Sequence, residues 1–172
     1  MVGAGSWGTT VAALTSHNAA TTLWARRPQL ADEINSTHLN SAYLPDASLP
    51  EVLRADSDLA RALAGADVVA MAVPSLGFRA VINEVSKHIG DRVPIVSLSK
   101  GLEQSTFKRM SEVIADVMPN NPVAVLSGPN LAKEILAGQP AASVIACTDV
   151  AIARELVAVF SRPTFRLYTN PD

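Results

Sequence analysis

Apolar runs of strand length alternate along this chain with amphipathic stretches of helix length. The runs lie at residues 21–25, 52–55, 67–73, 93–98, 123–126, 142–147 and 165–169. Several are almost unbroken in Val, Ile, Leu and Ala, the pattern of strands buried on both faces. Between them the spacing predicts helices over 7–16, 30–35, 58–64, 76–89, 107–118, 130–137 and 151–160. Boundary residues support several of these. Pro28 suits a first helical turn. Ser57 and Asp149 read as N-caps, and Ser75 as a cap for the helix after it. Gly65, Gly90 and Gly138 follow helix ends, and Pro119 stops another helix. The repeated strand–helix units predict one α/β domain over 1–172. Its sheet is doubly wound and mostly parallel, with helices on both faces and a late β-rich extension.

Composition narrows the function classes. The chain has 172 residues, 48% hydrophobic and 17% charged, enough to bury a core without disulfides or metal. A net charge of −2 with no Lys/Arg-rich run argues against a nucleic-acid partner. The longest apolar run, 68–73, is far shorter than the ~20 residues that span a bilayer, so no membrane insertion is expected. No basic stretch followed by an apolar core opens the chain, so no signal peptide is expected. The single cysteine, Cys147, excludes a disulfide framework and a Cys-based zinc site. It reads as a small buried hydrophobe, and the composition suits a reducing cytoplasm. His17, His38 and His88 share no metal-ligand spacing and read as surface or capping residues, so no metal is expected.

The sharpest local feature is Gly3-Ala4-Gly5-Ser6-Trp7-Gly8, which matches G-x-G-x-x-G and runs into a helical stretch. Gly3 permits a tight strand-to-helix turn. Gly5 lets the backbone approach a pyrophosphate, and Gly8 lets the helix pack closely on the sheet. The helix N-terminus then offers N–H groups to phosphates. A glycine-rich turn without a ligand is the alternative reading, because only Met1-Val2 precedes the loop. About 20 residues on, the next strand ends at Arg26-Arg27, where an NAD-specific site would place an acid for the ribose. Two arginines suit a 2′-phosphate instead, so NADP is favoured, more through Arg26 than Arg27. The alternative is a solvated strand end. The whole is a Rossmann-like pattern.

Ligands in such sheets sit beyond the carboxyl ends of strands. That selects the loops Val73-Pro74-Ser75, Ser97-Leu98-Ser99-Lys100-Gly101 and Ser127-Gly128-Pro129-Asn130. Lys100 is the only cation in them. It either meets a phosphate or a reacting carbonyl, or is an ordinary surface lysine. Lys133-Glu134 lies inside a helix and reads as surface. Trp7 reads as a wall beside the ligand more than as core, and Tyr43-Leu44-Pro45 as a core anchor more than as a cleft lip.

Together these motifs resemble the bacterial NAD(P)-dependent glycerol-3-phosphate dehydrogenases. The resemblance runs, in order, through Gly-Ala-Gly-Ser-Trp-Gly-Thr (3–9), Leu-Trp-Ala-Arg-Arg (23–27), Tyr-Leu-Pro (43–45), Val-Pro-Ser (73–75), Ser-Lys-Gly-Leu-Glu (99–103), Leu-Ser-Gly-Pro-Asn-Leu-Ala (126–132) and Arg-Leu-Tyr-Thr-Asn-Pro-Asp (166–172). It implies hydride transfer between NAD(P)H and dihydroxyacetone phosphate, giving sn-glycerol 3-phosphate for phospholipid synthesis. It also implies that Ser6, Trp7, Arg26 and Arg27 contact the dinucleotide and that Lys100 touches both cofactor and substrate. Gly128 and Asn130 would border the substrate and Ala132 the cofactor, although Asn130 stands where relatives often carry Ser or Thr.

The same resemblance sets expectations about extent. Residues 1–172 correspond to an N-terminal dinucleotide-binding domain whose first strand is nearly absent before Gly3. A helical second domain, expected beyond Asp172, would supply the general acid/base lysine and the dimer contacts of a homodimeric full-length protein. No catalytic residue is therefore assigned within 1–172. These residues alone are expected to bind cofactor with little turnover, and to be marginally stable because a central strand is cut short. Two alternatives keep the glycine loop: another NADP-dependent reductase such as a ketopantoate reductase or a 6-phosphogluconate-like enzyme, and a non-catalytic redox-sensing module. The Ser99–Gly101 and Ser127–Asn130 loops separate the first through its substrate. A reading frame continuing into a helical domain would remove the second.

Overall fold

Strands and helices alternate in the computed structural model, which describes residues 1–171. Asp172, the last residue of the 166–172 motif, lies outside the described residues. The main sheet contains β1 (Thr22–Trp24), β4 (Arg54–Asp56), β5 (Val69–Met71), β6 (Ile95–Ser97), β7 (Val123–Ser127), β8 (Ala141–Ala146) and β9 (Phe165–Asn170). β1 pairs in parallel with β4, and β5, β6 and β7 form a parallel run. The gap between β1 and β5 is closed by Val2, which bridges in parallel to Trp24 on one side and Met71 on the other. Its amide donates to Ala70 O at 2.7 Å, and its carbonyl accepts from Ala72 N at 2.8 Å. Two residues thus occupy the central strand position, and the order reads β4-β1-Val2-β5-β6-β7-β8-β9. β8 is antiparallel to β7 and parallel to β9, so the sheet is mixed, with the reversal in its late part.

Strand periodicity sorts the apolar residues onto the two faces. Ala70, Val96, Ala124, Leu126 and Ile145 pack with Val11 and Leu14 of α1 (Ser6–Thr15) and Leu156 of α7 (Val150–Phe160). Val69, Met71 and Ile95 face the other way, against α4 (Phe78–Val85) and α5 (Met110–Val117) through Phe78, Ile82, Val113 and Ile114. A third cluster sets Leu23, Ala25, Leu53 and Ala55 beneath Leu30 and Ile34 of α2 (Pro28–Thr37). Helices therefore cover both faces, as the doubly wound reading requires.

Several local expectations need correction. The helix foreseen over 76–89 is a 3₁₀ turn, Ser75–Gly77, followed by α4, and it ends before Ser86 rather than at Gly90. Ser75 lies inside that turn and caps nothing. The helix foreseen over 107–118 starts only at Met110, because Phe107 adopts φ +58°. The cap of α3 (Leu59–Leu63) is Asp58, not Ser57: its carboxylate accepts from the Arg61 amide at 3.0 Å. α6 is short, Ala132–Leu136. Asp149 does cap α7, accepting from Ala151 and Ile152. An antiparallel hairpin, β2 (Leu39–Asn40) and β3 (Leu44–Ser48), occupies a stretch that reads as loop. No described helix is long and apolar enough to cross a membrane.

Candidate functional site

The glycine loop joins Val2 to α1, and its three glycines face different surroundings. Gly3 has φ +112°, and a Cβ there would lie 2.6 Å from the Ala72 carbonyl oxygen. A Cβ on Gly8 would lie 2.0 Å from the Gly3 carbonyl oxygen and 2.9 Å from Ala72 Cβ. Both glycines are demanded by the close approach of α1, the loop and the end of β5. Gly5 is different: no protein atom lies within 4 Å of where its Cβ would be. It opens onto a cleft. Gly5 is also the N-cap of α1, gives that helix no side-chain cap, and is followed by a first turn without acidic residues. An anion is favoured at such a helix end, and a glycine facing open space leaves room for it.

Around this loop the carboxyl ends of β1, β5, β6 and β7 converge on a cleft of about 920 Å³. At the end of β1, Arg26 and Arg27 line it, and neither forms a salt bridge with a described residue. The Arg27 guanidinium sits over the Tyr43 ring, 5.8 Å from its centroid, a cation–π arrangement. Tyr43 is 44% exposed and lines the cleft, while Leu44 is buried. The core-anchor reading therefore holds for Leu44 and fails for Tyr43, which sits in the turn before β3, and for Pro45, which is exposed. Trp7 serves both surroundings: it lines the cleft and packs edge-on against Phe165 at 6.3 Å.

The opposite wall comes from the β6 and β7 loops. Ser99 Oγ donates to the Val73 carbonyl at 2.6 Å, tying two strand ends together. Lys100 Nζ donates to the Gly128 carbonyl at 3.0 Å, which holds its ammonium across the cleft. Asn130 Nδ2 donates to Ser143 Oγ at 2.6 Å. Ser143 is buried on β8 and carries no motif signal; only the antiparallel return of β8 brings it here. Gly3, Gly5, Ser6, Trp7, Gly8, Arg26, Arg27, Lys100, Gly128 and Asn130 all line one cleft. Ala132 does not: it starts α6, and its carbonyl accepts from Thr10 Oγ1 at 3.4 Å. Cys147, His17, His38 and His88 lie outside the cleft lining.

An ionic brace supports the segment after Lys100. Arg79 of α4 holds Glu103 through two hydrogen bonds of 2.6 and 2.9 Å and reaches Asp116 of α5 at 3.1 Å. Lys108 also meets Asp116, at 2.6 Å. The Arg79 guanidinium, then the Thr106 hydroxyl, hold the Glu103 carboxyl down at about 2, from an ordinary value of 4.5. A depressed folded-state value means that the brace stabilises the fold fully above the ordinary carboxylate range. That contribution is lost as pH falls from about 4.5 towards 2. Urea unfolding between pH 6 and pH 3 is expected to show a smaller acid-dependent loss in Arg79→Met than in the wild-type chain. Equal slopes would remove the brace from the acid response.

A doubly wound sheet, a glycine loop entering a helix and a cleft at the strands' carboxyl edge define a Rossmann-type dinucleotide-binding domain. The chain belongs to the family described as "NAD-dependent glycerol-3-phosphate dehydrogenase N-terminus", whose model matches residues 1–153. It is 53% identical over 172 residues to "Glycerol-3-phosphate dehydrogenase [NAD(P)+] 2" of Sphingopyxis alaskensis, covering 100% of this chain and 52% of that protein. It is 50% identical over 175 residues to "Glycerol-3-phosphate dehydrogenase [NAD(P)+]" of Corynebacterium urealyticum, covering 100% of this chain and 53% of that one. The crystal structure of a glycerol-3-phosphate dehydrogenase from Coxiella burnetii superimposes with a TM-score of 0.92 at 34% identity, over 99% of this chain and 53% of the other. The chain spans about half the length of the curated relatives it matches.

Proposed function

We propose that residues 1–172 form the NADPH-binding part of an enzyme that interconverts dihydroxyacetone phosphate and sn-glycerol 3-phosphate. The observation that carries this reading is the single cleft in which an open Gly5, two arginines and Lys100 face one another. The α1 N-terminus would take the pyrophosphate, with Ser6 and Trp7 beside it. Arg26 and Arg27 would take the 2′-phosphate, their forked donors matching its oxygens. The bound nicotinamide would supply the hydride. Lys100 holds a positive charge at the mouth, where it would orient a phosphate or polarise a carbonyl oxygen. Gly128 and Asn130 would border the substrate, with Ser143 fixing the asparagine amide. Ala132 would act on the cofactor side only through α6.

Ketone reduction also needs a proton donor for the developing alkoxide. The cleft lining holds no histidine or carboxylic acid among the described residues, and Lys100 is assigned to the substrate's phosphate or carbonyl oxygen. The donor would come from outside these residues, in a homodimeric protein of the relatives' length. Residues 1–172 alone are expected to bind NADPH and to turn over dihydroxyacetone phosphate little.

Titration of the purified chain with NADPH, followed by nicotinamide fluorescence, tests the reading. Arg26→Ala is expected to weaken NADPH by about tenfold or more, the loss of one charge-assisted pair. NADH is expected to change little. Failure of the wild-type chain to bind either dinucleotide would overturn the proposal.

A further inference from the structure

Asn40 is fully buried, yet it is a polar residue in a two-residue strand beside the cleft. Its Nδ2 donates to the Ala4 carbonyl at 3.1 Å and to Thr9 Oγ1 at 2.8 Å. One acceptor is in the glycine loop and the other is on α1. Its Oδ1 is buried with no hydrogen-bond partner among the described residues. A buried amide that leaves one acceptor unmet is costly, and an apolar residue of similar size would avoid that cost. The position therefore keeps asparagine for what its two donors hold.

What they hold is the β2–β3 turn. Asn40's own carbonyl accepts from the Tyr43 amide at 3.1 Å, and Ser6 Oγ donates to the Tyr43 carbonyl at 3.2 Å. Tyr43 lies under the Arg27 guanidinium. On the far side of the turn, the Ser41 amide donates to Glu33 Oε1 at 3.1 Å. A continuous chain thus runs from glycine loop to Asn40, to Tyr43, to Arg27. We infer that Asn40 is a positioning residue for cofactor selectivity. It sets the Tyr43–Arg27 wall against the phosphate-binding loop, so that the arginine fork meets a 2′-phosphate while the loop holds the pyrophosphate.

The inference rests on the cleft being an NADPH site and predicts a change in selectivity, not only in affinity. The phosphate loop serves NADH and NADPH alike, whereas the wall carrying Arg27 distinguishes them. General loosening of the fold would weaken both dinucleotides by one factor and leave their ratio unchanged.

The test measures dissociation constants of NADPH and NADH for the wild-type chain, Asn40→Leu, Arg27→Ala and the double variant. Asn40→Leu is expected to weaken NADPH about tenfold, as two positioning hydrogen bonds are lost, and NADH by clearly less. In the Arg27→Ala background it is expected to leave the NADPH:NADH ratio where Arg27→Ala alone puts it. A wild-type chain with no preference for NADPH would overturn the 2′-phosphate reading and this inference together. A preference that survives unchanged in Asn40→Leu would overturn the inference alone. Should Asn40→Leu not fold, Thr9→Val removes one acceptor with almost no change of shape. A shift of its ratio towards NADH supports the inference, and an unchanged ratio overturns it.

Discussion

Alanine at position 8 is expected to destabilise the chain by about 3 kcal/mol, the upper range for forcing a methyl into a filled site. The new Cβ would sit 2.0 Å from the Gly3 carbonyl oxygen and 2.9 Å from Ala72 Cβ. The first obstacle is backbone, not the far end of a flexible side chain, so no rotamer change relieves it. Either α1 moves away from the sheet or the loop at Gly3 is displaced. Gly3 has little freedom to yield, because its own Cβ position faces the Ala72 carbonyl at 2.6 Å. Movement of α1 would loosen Val11 and Leu14 in the core. Urea unfolding should show a clearly lower midpoint for Gly8→Ala with an unchanged slope. A midpoint equal to that of the wild-type chain would mean that α1 does not approach the loop this closely.

Gly5→Ala is expected to do the reverse, keeping the fold and losing the ligand. Gly5 has φ −74° and ψ 178°, a conformation any residue adopts. Its Cβ would meet no protein atom, so the stability cost is that of alanine at an N-cap, about 1 kcal/mol or less. The methyl would instead project towards the cleft beside the α1 N-terminus. A pyrophosphate held there would be pushed outward by about an ångström, and NADPH affinity should fall on the order of 100-fold. Calorimetric titration alongside a thermal melt separates the two effects. An affinity within about twofold of wild type would show that no ligand backbone passes Gly5. The two glycines together discriminate more sharply than either alone: one variant fails in stability, the other in binding.

The fold class was legible because buried parallel strands leave nearly continuous apolar runs, as at 93–98 and 123–126. The carboxyl-edge loops were legible for a related reason. Ser99-Lys100-Gly101 and Ser127–Asn130 interrupt those runs with turn-forming residues, and parallel pairing sends their ends to one edge. Other features were hidden because distant groups decide them. Phe107 takes a left-handed φ of +58° inside a loop closed by Glu103, whose amide donates to the Lys108 carbonyl and whose carboxylate is held by Arg79, 24 residues away. Ser57 and Asp58 are both capping types, and the choice between them depended on which carboxylate or hydroxyl met the Arg61 amide. Ser143 carries no local signal, because its role comes from the partner it meets across β7 and β8.

The sequence by itself determined the alternation of strand and helix, the glycines that the strand-to-helix turn needs, and the identity of the cations near the cleft. These follow from period, backbone freedom and charge, which are properties of short stretches of chain. Tertiary structure decided that Val2 bridges β1 and β5, that Tyr43 faces the cleft while Leu44 enters the core, and that Asn40 joins the hairpin to the glycine loop. Each of these depends on which groups, tens of residues apart, share a buried space. Burial makes a polar group find its partner wherever the fold has placed one.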